Sequence, residues 1–184
     1  DVAPSRGLGD VYKRQIESSL YYREGASINN FSSCLPASQS SLAQELTKDP
    51  YNFDFLTLRD GYLERELEDA LTDNITKFLI ELGNGFAYVG RQVRLEVGGD
   101  EFFIDLLFYH LKLRSYVVIE LKTGDFQPEY IGKLGFYVSA INHEMKLPQD
   151  NPTIGLLICK SKNNIVARYT LDTANLPSVS LNMN

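Results

Sequence analysis

The chain is short of the residues by which most metal and covalent centres announce themselves. Of 184 residues only two are cysteine and two are histidine. Cys34 and Cys159 lie far apart, and Cys159 ends an apolar run. With so few cysteines and no secretory apolar region, a reduced, cytoplasmic protein is the expectation. His110 and His143 show no metal-ligand spacing and read as structural or exposed. No apolar stretch approaches the ~20 residues of a membrane-spanning helix. Excess positive charge is missing too: 18 Lys and Arg stand against 24 Asp and Glu, a net charge of −6. That counts against tight non-specific nucleic-acid binding, although divalent cations would supply positive charge locally.

What is present suits one globular domain with a full core and an appended segment, since 43% of residues are hydrophobic. Residues 1–15 show no helical or strand period, and SRGLGDVYKRQ resembles a translated sequencing-library adapter, so this stretch reads as non-native. Residues 16–48 read as the tail of a module ahead of the domain. They would hold a short helix around Ile16–Arg23, a Ser/Asn-rich linker over Ser27–Ser41 and a second short helix at Leu42–Thr47. Asp49-Pro50 then punctuates the start of a compact domain over 49–184.

From Tyr62 the apolar residues recur at three- and four-residue steps through Leu82, and Gly83 supplies a stop. Phe86–Val97 reads as a strand ending in Gly98-Gly99-Asp100. Two strands follow, within Phe102–Tyr109 and Tyr116–Lys122. Pro128 opens a second helix, Thr153–Cys159 is a buried strand, and Ile165–Leu171 is expected as a last strand. The order is α-β-β-β-α-β-β, an α/β fold with a mixed central sheet flanked by helices.

Two of those strands carry charge where an interior strand should carry none. Asp105 lies in FFIDLLFY, and Glu120 and Lys122 in YVVIELK. Glu120 and Lys122 share a face by strand parity, roughly 7 Å apart. If Tyr109 pairs with Tyr116, Asp105 stands opposite Glu120. Two carboxylates facing each other are destabilising unless a cation sits between them, either Lys122 or a metal ion. A structural salt bridge is the bland alternative. Unpaired charge inside apolar strands costs several kcal/mol, which favours a site. Hard oxygen ligands suit Mg²⁺ or Mn²⁺, which would lower the pKa of a bound water and stabilise charge on a phosphate.

These segments resemble the PD-(D/E)XK nuclease superfamily. ERELEDAL, FLIELGNGFAYVGRQVRLEVGGDEFFIDLLFYHLKLRSYVVIELKTGDFQPEYIGKLGFY and NPTIGLLICK, within residues 49–171, are similar to the C-terminal domain of bacterial YhcG-type proteins. The resemblance implies a restriction-endonuclease-like core and a divalent-metal-dependent deoxyribonuclease. Asp105 and Glu120 would hold the ion, with the backbone carbonyl of Leu121 as a further ligand, and Lys122 would be the catalytic lysine. It also implies a glutamate from the first helix. Glu64, Glu66 and Glu68 compete there. Glu64 is favoured because ERE-Leu resembles archaeal junction-resolving nucleases, Glu68 is the rival, and Glu66 reads as a solvated charge.

Softer candidates surround this centre. Lys133 and Tyr137 have the spacing of the Gln-x-x-x-Tyr element of exonuclease-like members, with Lys in place of Gln. Tyr130 shares their face, and Gln92 would project toward the site. These four are the candidate DNA contacts, while Arg91, Arg94, Lys112 and Arg114 are either phosphate contacts or scattered surface charge. DNA is the expected substrate, with defence or mobile-element proteins and a second copy of the chain as candidate partners. The rival function is a non-catalytic nucleic-acid-binding or assembly module that retains the fold.

Overall fold

A computed structural model describes residues 27–184 together with Gly9, Tyr12, Lys13 and Arg23. The expected helix around Ile16–Arg23 and the segment 1–15 lie, apart from those isolated positions, outside the described residues. Strands β1 (Ile28–Asn29), β2 (Phe86–Val97), β3 (Asp100–His110), β4 (Ser115–Leu121), β5 (Ile154–Cys159) and β6 (Ser178–Asn182) form one sheet in the order β1-β6-β5-β4-β3-β2. The β2–β3–β4 half is antiparallel, and β4, β5 and β6 run parallel. Helices α3 (Glu64–Asp73) and α4 (Ile75–Leu82) precede β2, and α5 (Pro128–Glu144) crosses from β4 to β5.

Local chemistry explains the elements. Gly98 and Gly99, at φ +63° and +89°, turn β2 into β3 as a primed hairpin turn demands. Pro128 opens α5 at its first turn, where its missing N–H costs nothing. Strand β5 is buried throughout, as expected of a parallel strand covered on both faces. One core layer joins α3 and α4 to the sheet through Leu67, Leu71, Phe78, Phe108 and Ile119. The other joins α5 through Leu134, Val138 and Ile141 to Leu107, Val118 and Leu157.

The sequence reading needs three corrections. Ser27–Ser41 is not a linker: it carries β1, paired antiparallel with β6, then α1 (Phe31–Cys34) and the start of α2 (Ala37–Leu46). Phe31 and Ala43 are wholly buried there, so a few apolar anchors outweigh the polar composition. The pattern from Tyr62 to Leu82 holds two helices rather than one. They part at Asn74, whose side-chain amide donates to the Ala70 carbonyl at 2.9 Å. Ile165–Leu171 is helical, inside α6 (Asn164–Thr173). The Asn163 carboxamide accepts from the backbone N–H groups of Ile165 and Val166, and Ala167 and Leu171 bury one face four residues apart. Capping and that spacing override the β-branched run. The last strand is instead β6, in the stretch beyond it.

Candidate active site

The β3–β4 ladder sets the site. Tyr109 pairs with Tyr116, as expected, and the register runs to Leu106 opposite Ile119. One step further, Asp105 and Glu120 meet where the ladder gives out. The Asp105 Oδ2 accepts the Leu121 N–H at 2.9 Å, in the place a partner carbonyl would occupy. Glu120 Oε1 lies 3.4 Å from the Asp105 amide nitrogen. The two carboxylates therefore converge at the end of β4, between α3 and α5.

Glu120 is almost wholly buried, and its Oε2 has no hydrogen-bond partner among the described residues. Burial, then the Asp105 carboxylate beside it, pushes the Glu120 carboxyl up to about 8. The nearest cation is Lys133 of α5, whose Nζ lies 3.8 Å from that oxygen, too far for a hydrogen bond. A buried carboxylate left with an open lone pair is costly and calls for a charged partner. Among the described residues no three His, Cys, Asp or Glu side chains cluster as a metal cage. The donors on hand are two carboxylates, hard oxygens that fit Mg²⁺ or Mn²⁺ with several waters retained. By that test the residues fit a divalent ion.

The helix glutamates divide. Glu64, half-exposed at the start of α3, reaches Lys122 at 3.6 Å. Glu68 is buried, accepts from the Gln92 carboxamide at 2.6 Å and lies 3.3 Å from the Arg91 guanidinium. Burial raises its pKa, and Asp105 adds to the rise. Glu66 accepts the Leu63 N–H at 2.7 Å and pairs with Arg59, which is an N-terminal helix contact away from the site. Lys122 sits with its ammonium 4.9 Å over the Tyr130 ring. Lys133 is exposed, and Tyr137 beneath it is buried in the α5 core layer.

Glu64, Arg65, Glu68, Arg91, Gln92 and Asp105 line one open cavity of about 420 Å³. Sequence reasoning did not single out Arg65, and nothing but its adjacency to Glu64 could have flagged it. The other basic candidates are spent or elsewhere. Arg91 pairs with Asp69 as well as Glu68, Arg94 with Glu96 and Glu101, and Arg114 donates to the Gln149 carbonyl. Lys112 lines a separate cavity beside Gly83–Gly85. His110 is buried between Asn84 and Leu113, as a structural histidine would be.

A mixed sheet flanked by helices, with an Asp and a Glu-x-Lys meeting where β3 and β4 part, is the arrangement expected of a PD-(D/E)XK nuclease domain. The family model described as the YhcG PDDEXK nuclease domain matches residues 44–181, and the chain belongs to that family. YhcG of Escherichia coli strain K12 is 38% identical over 173 residues, which is 92% of this chain and 45% of that protein. The chain thus spans less than half the length of that relative. Among solved structures, a repair endonuclease from Pyrococcus abyssi aligns at 17% identity with a TM-score of 0.43, over 70% of this chain and 48% of that one. An EndoMS–dsDNA2 complex aligns at 19% identity and 0.45, over 68% and 49%.

Proposed function

We propose that this domain hydrolyses DNA phosphodiester bonds with a divalent cation, Mg²⁺ or Mn²⁺, held by Asp105, Glu120 and the Leu121 carbonyl. The observation that supports it most is the buried Oε2 of Glu120, which accepts no hydrogen bond, beside the Asp105 carboxylate. A bound ion supplies positive charge to the phosphate and lowers the pKa of an attacking water. The chain's own groups would do the rest. Asp105 is held in place by the Leu121 N–H, so one of its oxygens is oriented before substrate arrives. Lys122, poised between Glu64 and the Tyr130 ring, binds the scissile phosphate or orients the water. Glu64 aims that ammonium, while Glu68 belongs to the Asp105 side of the cavity. Lys133, long and exposed, can leave Glu120 for a neighbouring phosphate.

The test is cleavage of supercoiled, linear and branched DNA by the purified chain, with and without Mg²⁺ or Mn²⁺. Cutting that requires the metal and disappears in Asp105→Asn and Glu120→Gln is expected. Metal-dependent cutting that survives either substitution would remove the site assignment. No cleavage of any of these substrates, with either metal, would favour a binding or assembly module.

A further inference from the structure

Gln92 departs from the strand that carries it. It lies in the middle of β2 at φ +44°, a left-handed conformation that side-chain-bearing residues adopt only against steric resistance. The register places it opposite Asp105, between the Arg91–Leu106 and Val93–Ile104 pairs. The hairpin changes faces at this step. Leu106 packs against the α3–α4 layer, yet Ile104, two residues away, packs with Val93 and Leu95 in the α5 layer. Strict alternation would keep Ile104 and Leu106 together. The kink at Gln92 is thus where the hairpin turns, and it aims both the Gln92 side chain and Asp105 into the same cavity.

There the carboxamide nitrogen donates to Glu68 Oε2 at 2.6 Å and lies 3.5 Å from Asp105 Oδ1. Both partners are acceptors, which fixes the amide's orientation. We propose that Gln92 is a positioning residue that holds Glu68 and Asp105 at a set spacing and so presents Asp105 to the divalent cation; this rests on the metal-dependent reading above. A neutral donor is the right chemistry for that task. One nitrogen carries two N–H groups, enough for both carboxylates, and adds no charge to repel the ion. A lysine there would neutralise the cluster. With no donor, Glu68 and Asp105 would repel each other, and Arg91 alone would draw Glu68 away.

Calorimetric titration of the whole chain with Mn²⁺, paired with steady-state cleavage and a thermal melt, decides it. Gln92→Gly relieves the left-handed backbone, so its Tm should equal or exceed that of the wild type. Its Mn²⁺ affinity should fall about 10- to 100-fold, as for lost outer-shell partners. The kcat should fall alongside, with the KM for DNA unchanged. Gln92→Asn also tolerates the left-handed backbone, but its amide falls a methylene short, so it should lose affinity in the same direction. Adding Glu68→Gln to Gln92→Gly should cost little more, because Gln92 acts partly through Glu68. Wild-type Mn²⁺ affinity in both Gln92 variants, or a rise in KM alone, would overturn the proposal and make Gln92 a DNA contact. If Asp105→Asn abolishes Mn²⁺ binding and the Gln92 variants do not weaken it, only this inference fails. If the wild type itself binds no Mn²⁺, the metal-dependent reading fails and takes this inference with it.

Discussion

Two clusters of buried charge sit on this sheet, and they differ in how completely they are satisfied. At one, Asp49 and Lys162 form an ion pair with side chains 11% and 1% exposed. Asp49 Oδ1 also accepts the Asn182 N–H at 2.9 Å, and Lys162 also donates to the Ser180 carbonyl at 2.7 Å. At the other cluster Glu120 is equally deep, yet one of its oxygens has no hydrogen bond and Asp105 stands beside it. Burial is the same; saturation is not. A charge enclosed with an ion partner and main-chain hydrogen bonds fastens chain segments together. One enclosed with a lone pair open stays ready for a ligand.

Breaking the open cluster should give the largest effect. Asp105→Asn and Glu120→Gln are expected to lower cleavage on the order of 10³-fold, the scale at which removed electrostatic stabilisation shows. Their melting temperatures should match or exceed that of the wild type, because Asp105→Asn removes the charge beside Glu120 and Glu120→Gln removes a buried acid that folding keeps from ionising. Breaking the closed cluster should do the reverse. Asp49→Ala strands the Lys162 ammonium and should cost about 3–5 kcal/mol in urea unfolding. The Asp49→Leu/Lys162→Met double variant should recover much of that loss. If Asp49→Ala proves mild, its cluster is not the fastener described.

How far the sequence shows this contrast depends on where the deciding contact lies. Asp105, Glu120 and Lys122 were legible because charge inside apolar strands is conspicuous, and the Tyr109–Tyr116 register follows from the short connection between β3 and β4. The site's third dimension was not. Glu64 and Glu68 share a helical face, and only the packing of α3 on the sheet sends one to Lys122 and the other to Gln92. The left-handed backbone at Gln92 leaves no trace in composition. Asp49 and Lys162, 113 residues apart, are joined by topology alone. Of the fold, the β2–β4 hairpins and α5 were plain from periodicity. The α6 segment resembles a strand in sequence because its β-branched residues are more conspicuous than a lone capping asparagine.

Titration should sharpen the comparison further in metal-free protein. Glu120 binds its proton more tightly folded, near pH 8, than at its ordinary value of about 4.5. Between those values the folded state holds more protons than the unfolded one, so stability falls as pH rises through the window. Glu120→Gln should flatten that limb in urea unfolding measured from pH 5 to 8.5. A persisting slope of the same size would assign it to another group.

The smallest effect comes from a buried group that is satisfied while neutral. His110 is fully enclosed, its ring edge-on to Phe86 at 4.7 Å. Its Nδ1 accepts the Leu113 N–H at 3.2 Å, so Nε2 carries the proton and donates to the Asn84 carbonyl at 3.1 Å. A second proton would have to enter at Nδ1, against an N–H already pointing there. Burial accordingly holds the imidazole below its ordinary value. With the folded pKa depressed, stability is complete above about pH 6.5 and declines as pH falls below it, where only the unfolded chain gains the proton. That slope is opposite in sign to the one from Glu120, so the two are separable in one protein. His110→Gln should lose the decline between pH 6.5 and 5 while leaving the Glu120 limb intact. It should also cost about 1 kcal/mol or more at neutral pH from lost packing on Phe86. If the acid decline survives in His110→Gln, the imidazole is not its source, and the neutral, satisfied state assigned to His110 gives way.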